Sequence, residues 1–251
     1  QTPLNEQDLK TMSEAVEVLR QFKGFSYFTE MSDIINRLED HVASARMKTT
    51  PVIDFEKNES LKGLDYLDTI YHAIVNEHPI QLKYRSFKAR SANSFIFYPY
   101  LLKEYRNRWF VYGVRGNGRI LQNLALDRIQ SLEVLPQEHY IKNTFFDPNT
   151  FFDDLVGVTK NSGSVAEKVG FKVAAAEAPY IITKPIHRSQ QVVERLADGS
   201  VILEIKVVIN HELERVFFGY AEGIQILYPK TLVELMSRKL KKAAEQYTHS
   251  K

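Results

Sequence analysis

The spacing of apolar residues along the chain predicts a helical start, followed by two regions that mix strands with helices. In residues 1–42, apolar positions recur every three or four residues in two runs, the first ending near Gly24. That spacing collects the apolar side chains on one face of a helix. The sequence therefore predicts two short amphipathic helices, which would pack on another part of the protein or between subunits.

The period changes from helical to extended at Pro79. A helix that begins near Leu64 is expected to end there, because a proline ring cannot continue the hydrogen-bond ladder. Pro99 is expected to close a later strand, and Asn117-Gly118 predicts a type I′ hairpin, since both central positions of that turn need positive φ. Alternating runs predict strands at residues 80–84, 94–98, 108–115, 121–125 and 129–135. Five short strands after one helix predict a small antiparallel β-barrel.

The C-terminal region has a different order of predicted strands and helices. The predicted elements are a strand at residues 171–173, a helix at 176–181, strands at 190–195 and 201–209, a helix capped by Asn210, a strand at 223–228 and a helix after Pro229. The order β-α-β-β-α-β with a terminal helix predicts a ferredoxin-like domain. The whole chain is thus predicted to be α+β, with a helical connector at residues 1–60, the barrel at 61–140, a linker at 141–167 and the ferredoxin-like domain at 168–251.

Composition narrows the class of protein. The chain has 251 residues, of which 44% are hydrophobic and 25% are charged, as is typical of a globular protein. It has no cysteine, which removes disulfides, thiolate metal sites and cysteine nucleophiles. No apolar run approaches the roughly 20 residues of a membrane-spanning helix. These features predict a soluble, cytoplasmic protein that does not bind a membrane.

Charge is segregated along the chain. Residues 80–130 contain ten Lys or Arg and two acidic residues, a net charge of +8, although the whole chain carries only +2. The same window holds ten aromatic residues. Interleaved cations and rings can neutralise phosphates and stack on bases, which indicates an anionic partner such as nucleic acid. A solvated basic face, with the rings in the core of a small β domain, remains the alternative interpretation.

Motifs for enzyme chemistry are incomplete. His211-Glu212 begins like a zinc-protease HExxH, but Arg215 occupies the position of the second histidine. Residues 113–118 are better explained as a hairpin than as a phosphate-binding loop. The sequence therefore predicts a protein that is not an enzyme, without catalytic residues, metal or cofactor. A nuclease-like activity is the less favoured enzymatic alternative.

Residues 64–129 resemble the WYL domain, which is named for a Trp-Tyr-Leu tripeptide and occurs in bacterial transcription regulators. The resemblance lies in the order and spacing of four stretches, residues 80–86, 98–102, 108–111 and 126–129. It implies an Sm or SH3-like barrel that senses a nucleic-acid or nucleotide ligand. The tripeptide here is Trp109-Phe110-Val111, and two arginines expected by the family are replaced by Gln122 and Ala125. The pocket is therefore expected to be less basic than in typical members.

The resemblance also identifies candidate ligand-binding residues. Tyr84, Ser86, Trp109 and Arg128 match the family motif, and nearby arginines could compensate for the two that are missing. The predicted site is Tyr84, Arg85, Ser86, Arg90, Trp109, Arg119 and Arg128. Two alternatives stay open, since Trp109 could be a packing residue and Arg128 could support the fold. Asp127 could orient a neighbouring arginine, although adjacent residues on a strand face opposite sides.

The C-terminal region resembles the extension that often follows WYL domains and is linked to dimerisation. The similarity is carried by residues 185–190, by Asp198-Gly199 and by residues 227–229. The combined resemblance implies the ligand-sensing region of a homodimeric transcriptional regulator, which would bind promoter DNA through an N-terminal winged helix-turn-helix that this chain lacks. The competing hypothesis is a stand-alone nucleic-acid or protein-interaction adaptor.

Overall fold

The computed structural model describes residues 61–116, 118 and 120–248. The predicted helices of residues 1–42, the connector and the Asn117 position of the predicted hairpin lie outside the described residues. The α+β class is confirmed. The chain divides between Asn143 and Thr144 into two compact units, each with its own hydrophobic core. The predicted domain boundaries stay a prediction.

The first unit combines one helix with a five-stranded antiparallel sheet. A short 3-10 turn at Leu64–Tyr66 leads into the helix, and a second 3-10 turn at Leu126–Arg128 joins the last two strands. The elements are α1 (Leu67–Val75), β1 (Ile80–Tyr84), β2 (Asn93–Tyr105), β3 (Arg108–Arg115), β4 (Leu121–Ala125) and β5 (Ile129–Val134). Apolar residues of α1 and of one sheet face form the core, among them Leu67, Ile70, Ile80, Leu82, Phe97 and Val111.

The sheet is curled but is not closed into a barrel. Its strand order is β4-β3-β2-β1-β5, so the strands adjacent in the chain, β4 and β5, form the two edges. In a flat sheet these edges would lie about 19 Å apart, at about 4.8 Å per strand. The connection from Ala125 to Ile129 spans at most about 14 Å at roughly 3.5 Å per residue. The sheet must therefore bend to bring its edges towards each other, although no β4–β5 pairing is found among the described strands.

Two local details of the sheet differ from the sequence prediction. The second strand does not end at Pro99 but continues to Tyr105, with a register shift between Pro99 and Leu101. The shift accommodates the missing N–H of proline, which cannot take part in a regular ladder. The β2–β3 hairpin turns at Arg106 and Asn107, whose φ angles are 50° and 60°. This turn was not predicted because it contains no glycine, although Asn tolerates positive φ.

The second unit has the predicted ferredoxin-like arrangement. Its four strands lie in the order β7-β8-β6-β9, and all neighbours are antiparallel, as expected for a split β-α-β topology. The elements are β6 (Glu167–Val173), α2 (Ala178–Thr183), β7 (Gln191–Arg195), β8 (Val201–Val207), α3 (His211–Tyr220), β9 (Ile224–Tyr228) and α4 (Lys230–Thr248). A 3-10 turn at Ala221–Gly223 joins α3 to β9. Among these described helices, none is long and apolar enough to cross a membrane.

The segment before β6 is tied to this unit by a buried asparagine. The Asn210 side chain accepts a hydrogen bond from Leu213 N at 2.9 Å, which caps α3. Its amide Nδ2 donates to Val156 O at 3.0 Å and to Thr159 O at 2.9 Å. Part of the predicted linker thus packs on the second unit, and Val156 contributes to its core.

We expect Asn210→Ala to lower the free energy of unfolding of this unit by about 2–3 kcal/mol. The substitution removes the cap, worth about 1 kcal/mol, and leaves two carbonyls without their buried donor. Asn210→Ser is the matched control, because serine can still cap the helix but cannot reach both carbonyls. Urea denaturation followed by circular dichroism measures both. Equal stability of the alanine variant and the wild type would contradict the assignment.

Candidate functional site

The Leu126–Arg128 turn gathers oppositely charged side chains at one edge of the first unit. Asp127 Oδ2 lies 3.2 Å from Arg108 Nε, and Asp127 Oδ1 lies 3.7 Å from Arg128 Nε. The side chains of Asp127 and Arg128 can face the same partners because the pair lies on a 3-10 turn, not on a strand. Asp127 therefore orients two arginines, one from β3 and one from the turn.

Gly63 fixes the position of this turn. Its φ is +82°, and a Cβ atom there would overlap the carbonyl group of Leu126 and lie 2.7 Å from Asp127 N. Only a residue without a side chain can approach the turn so closely in this backbone conformation. The strand register of the sheet and the Gly63 contact together place Asp127 and Arg128.

Tyr84 stands at the end of β1, next to Arg128. Its pKa is raised, mainly because burial disfavours the charged phenolate, while the nearby positive charge of Arg128 acts in the opposite direction. A hydrogen bond between the two side chains, and another with the backbone of Ala125, also act to lower this pKa. Tyr84 is therefore a neutral group that helps to hold the Arg128 guanidinium.

The residues after Tyr84 form a turn beside Arg128. Arg85 N donates to Arg128 O at 3.1 Å, and Arg85 Nε donates to Ala89 O at 3.4 Å. Ala89 N in turn donates to Ser86 O at 3.0 Å. This turn presents Phe87, which is 73% exposed and whose ring centroid lies 4.6 Å from the guanidinium carbon of Arg128.

The structure brings together part of the predicted site. Tyr84, Arg85 and Arg128 are in contact with one another, and Ser86 contributes its carbonyl to the adjoining turn. Arg90 is exposed just beyond that turn. Arg119 lies outside the described residues. The ligand-binding role of all these residues stays a prediction.

Trp109 is half-buried on β3 and packs against the core of the first unit. This contact agrees with the packing interpretation of the tryptophan. The two positions where the family pattern has arginines both lie on β4. Gln122 is the register partner of Gly113, and Ala125 is the register partner of Phe110. Ala125 is also buried, with 2% of its surface exposed. The Ala125 position therefore has little room for the arginine that the family pattern would place there.

Two residues that contact Asp127 or Arg128 were missed by the sequence interpretation. Arg108 precedes the tryptophan and was noted in the basic window and in the WYL-like stretch, but it was not among the predicted site residues. It meets Asp127 because β3 and β4 are paired, which puts Ala125 opposite Phe110 and brings the following turn back to Arg108. Phe87 could have been suspected as an aromatic residue within the basic stretch that follows Tyr84. We call Arg85, Arg108 and Arg128, with Asp127 between the last two, the arginine cluster.

The incomplete metalloprotease motif has a structural explanation. Glu212 is buried in the first turn of α3, where Thr159 Oγ1 donates to its Oε1 at 2.8 Å. His211 Nε2 lies 3.2 Å from the same oxygen atom. Across the described part of the chain, no group of three or more His, Cys, Asp or Glu residues is arranged to hold a metal ion. Through Thr159, Glu212 instead connects α3 to the preceding segment.

Comparison with known proteins identifies two domains. The WYL domain profile matches residues 65–134, and the WCX domain profile matches residues 166–244. No curated protein matches the chain. Solved structures with similarity to it include the proteasome accessory factor B/C (PafBC) of Arthrobacter aurescens, with 16% identity and a TM-score of 0.31, covering 76% of this chain and 28% of that one. Another, described as a CRISPR Cas-related protein, has 11% identity and a TM-score of 0.48, and the match covers 98% of this chain and 88% of that one.

Proposed function

Because this chain belongs to the WYL-domain family and carries a WYL domain followed by a WCX domain, we propose that it is the ligand-sensing and dimerising region of a cytoplasmic transcriptional regulator. The chain spans less than a third of the length of PafBC. The resemblance to WYL-domain regulators supports the further proposal that a helix-turn-helix domain outside this chain reads the DNA. The proposed role is binding, not catalysis.

The arginine cluster carries the proposal. Arg108 and Arg128 share one carboxylate, and Arg85 joins them through its backbone bond to Arg128 O. The guanidinium groups of Arg108 and Arg128 face the single carboxylate of Asp127, which leaves an excess of positive charge. The Arg108 and Arg128 side chains are 47% and 27% exposed, so solvent and a ligand can reach them. Guanidinium groups bind phosphate oxygens with two parallel hydrogen bonds, which supports an anionic ligand such as single-stranded nucleic acid or a nucleotide.

The proposed mechanism is a shift between conformations of the homodimer. A ligand that binds one arrangement of the subunits more tightly raises the population of that arrangement. The same free energy then changes the affinity of the linked DNA-binding domains for their promoter. The WCX domain would form the dimer, and the WYL domain would receive the signal.

The test is the salt dependence of binding to short single-stranded DNA and RNA. We expect the variant with Arg85→Ala, Arg90→Ala and Arg128→Ala to bind more weakly. In a plot of the logarithm of the binding constant against the logarithm of the salt concentration, its slope should be shallower by up to about 2, since each phosphate contact on a single strand contributes about 0.7. The control replaces three exposed cations of α4, Arg238, Lys241 and Lys242, with alanine and should keep the wild-type slope. Equal binding by wild type and the first variant would refute the basic site.

A further inference from the structure

Phe87 is an exposed aromatic ring in an unusual place. It is 73% exposed and, among the described residues, belongs to neither hydrophobic core. Other large apolar side chains of this chain are equally exposed, including Tyr180 and Tyr247. Phe87 differs from them because its ring covers the guanidinium of Arg128, the arginine at the centre of the proposed site.

The turn that presents Phe87 is held in place on both sides. Arg85 bonds to Arg128 through its backbone and to Ala89 through its side chain, and the Ala89–Ser86 bond closes the turn between them. The backbone of Phe87 is therefore fixed relative to Arg128. Its ring presents an apolar surface to solvent directly beside the cations.

Arg128 itself is not fully satisfied in this arrangement. Its Nε and the Asp127 Oδ1 atom are both buried and make no hydrogen bond within the described residues, and they lie 3.7 Å apart. Because both atoms are shielded from solvent, a ligand would instead meet the accessible part of the Arg128 side chain, which is 27% exposed overall. The free surface of the Phe87 ring adjoins the same group.

We propose that Phe87 is the residue that recognises the base of this ligand: the base stacks on its ring while the phosphate is bound by the arginine cluster. This inference rests on the proposed function and adds the residue that distinguishes a base-bearing ligand from a bare phosphate. Aromatic rings bind bases of every kind through their π-faces, whereas arginines alone would bind any phosphate. A free nucleotide and the end of a single strand share this chemistry.

The experiment compares ligands that differ only in the base. Binding to the full chain is measured for adenosine 5′-monophosphate against ribose 5-phosphate, and for a short oligothymidylate against an abasic oligonucleotide of the same length. In the wild type we expect the base-bearing member of a pair to bind about 5- to 100-fold more tightly, the usual range for stacking on one aromatic residue. An effect seen with the mononucleotide identifies a nucleotide, and an effect confined to the oligonucleotide identifies a strand.

Two substitutions assign the effect to the ring. Phe87→Leu should abolish the preference for base-bearing ligands and leave the affinity for ribose 5-phosphate and the abasic strand unchanged. Phe87→Tyr should keep the preference, since it keeps the ring. Because Phe87 is exposed, neither variant should change the Trp109 fluorescence of the folded protein. Equal affinity for ligands with and without a base, or equal weakening of both by Phe87→Leu, would overturn the inference while leaving anion binding intact. No binding of any of these ligands would overturn the proposed function as well.

Discussion

Phe171→Ala is expected to lower the free energy of unfolding of the WCX domain by about 3–5 kcal/mol, the range for removing a fully buried phenyl ring. Phe171 is 0% exposed on β6, a central strand, where its register partners are Leu203 on β8 and Ile226 on β9. Its ring packs edge to face on Phe217 of α3, with centroids 5.2 Å apart. Neighbours from three different elements cannot all move to fill the cavity.

The measurement is urea denaturation with two probes. Far-UV circular dichroism reports the WCX domain together with the rest of the chain, whereas fluorescence of Trp109, the single tryptophan, reports the WYL domain. We expect Phe171→Ala to shift the first signal and to leave the midpoint of the second unchanged. Val192→Ala is the control, because Val192 is 42% exposed on the edge strand β7 and should cost less than about 0.5 kcal/mol. A loss below about 1 kcal/mol for Phe171→Ala would show that the core is not packed as described.

The WCX domain could be predicted from sequence because each element carries its own local signal. Asn210 marks the start of α3, Pro229 precedes α4, and Asp198-Gly199 lies between the hairpin strands. The order of these elements then limits the sheet to a few topologies. The WYL domain was predicted less completely. Whether its edge strands pair is decided by the curvature of the sheet, which no local pattern encodes.

For the candidate site, too, the sequence predicted some of the residues but not the contacts between their side chains. A linear motif marks Tyr84 and Arg128, and the basic window marks Arg85. The link between Arg108 and Asp127 depends on pairing between β3 and β4, and the position of Phe87 depends on a turn held by Arg85. Trp109 was the most conspicuous residue of the sequence, yet its contacts are with the core. Residue type predicts the chemistry available, but the fold decides which side chains meet.

Gly63→Ala should destabilise the WYL domain by about 3 kcal/mol and weaken binding of single-stranded DNA at the same time. Two costs add, because a residue with a side chain at φ +82° is strained by about 1–2 kcal/mol, and overlap with packed backbone costs about 1–3 kcal/mol more. The overlapping atoms are the carbonyl group of Leu126, which begins the turn that carries Asp127 and Arg128. The backbone cannot rotate away as a flexible side chain could, so the turn itself must shift.

Gly116→Ala provides the matched control for this substitution. Gly116 also has a positive φ, +54°, but no atom lies within 4 Å of its potential Cβ. It should therefore show the backbone strain alone, about 1 kcal/mol, and should bind DNA as the wild type does. Trp109 fluorescence during urea denaturation measures the stability of both variants, and fluorescence anisotropy of a labelled oligonucleotide measures binding under conditions where each remains folded. Weaker binding by Gly63→Ala at full folding, with normal binding by Gly116→Ala, would link the ligand to the position of the Leu126–Arg128 turn. If both variants lost the same stability and bound equally well, the contact between Gly63 and the turn would have no part in holding the arginine cluster.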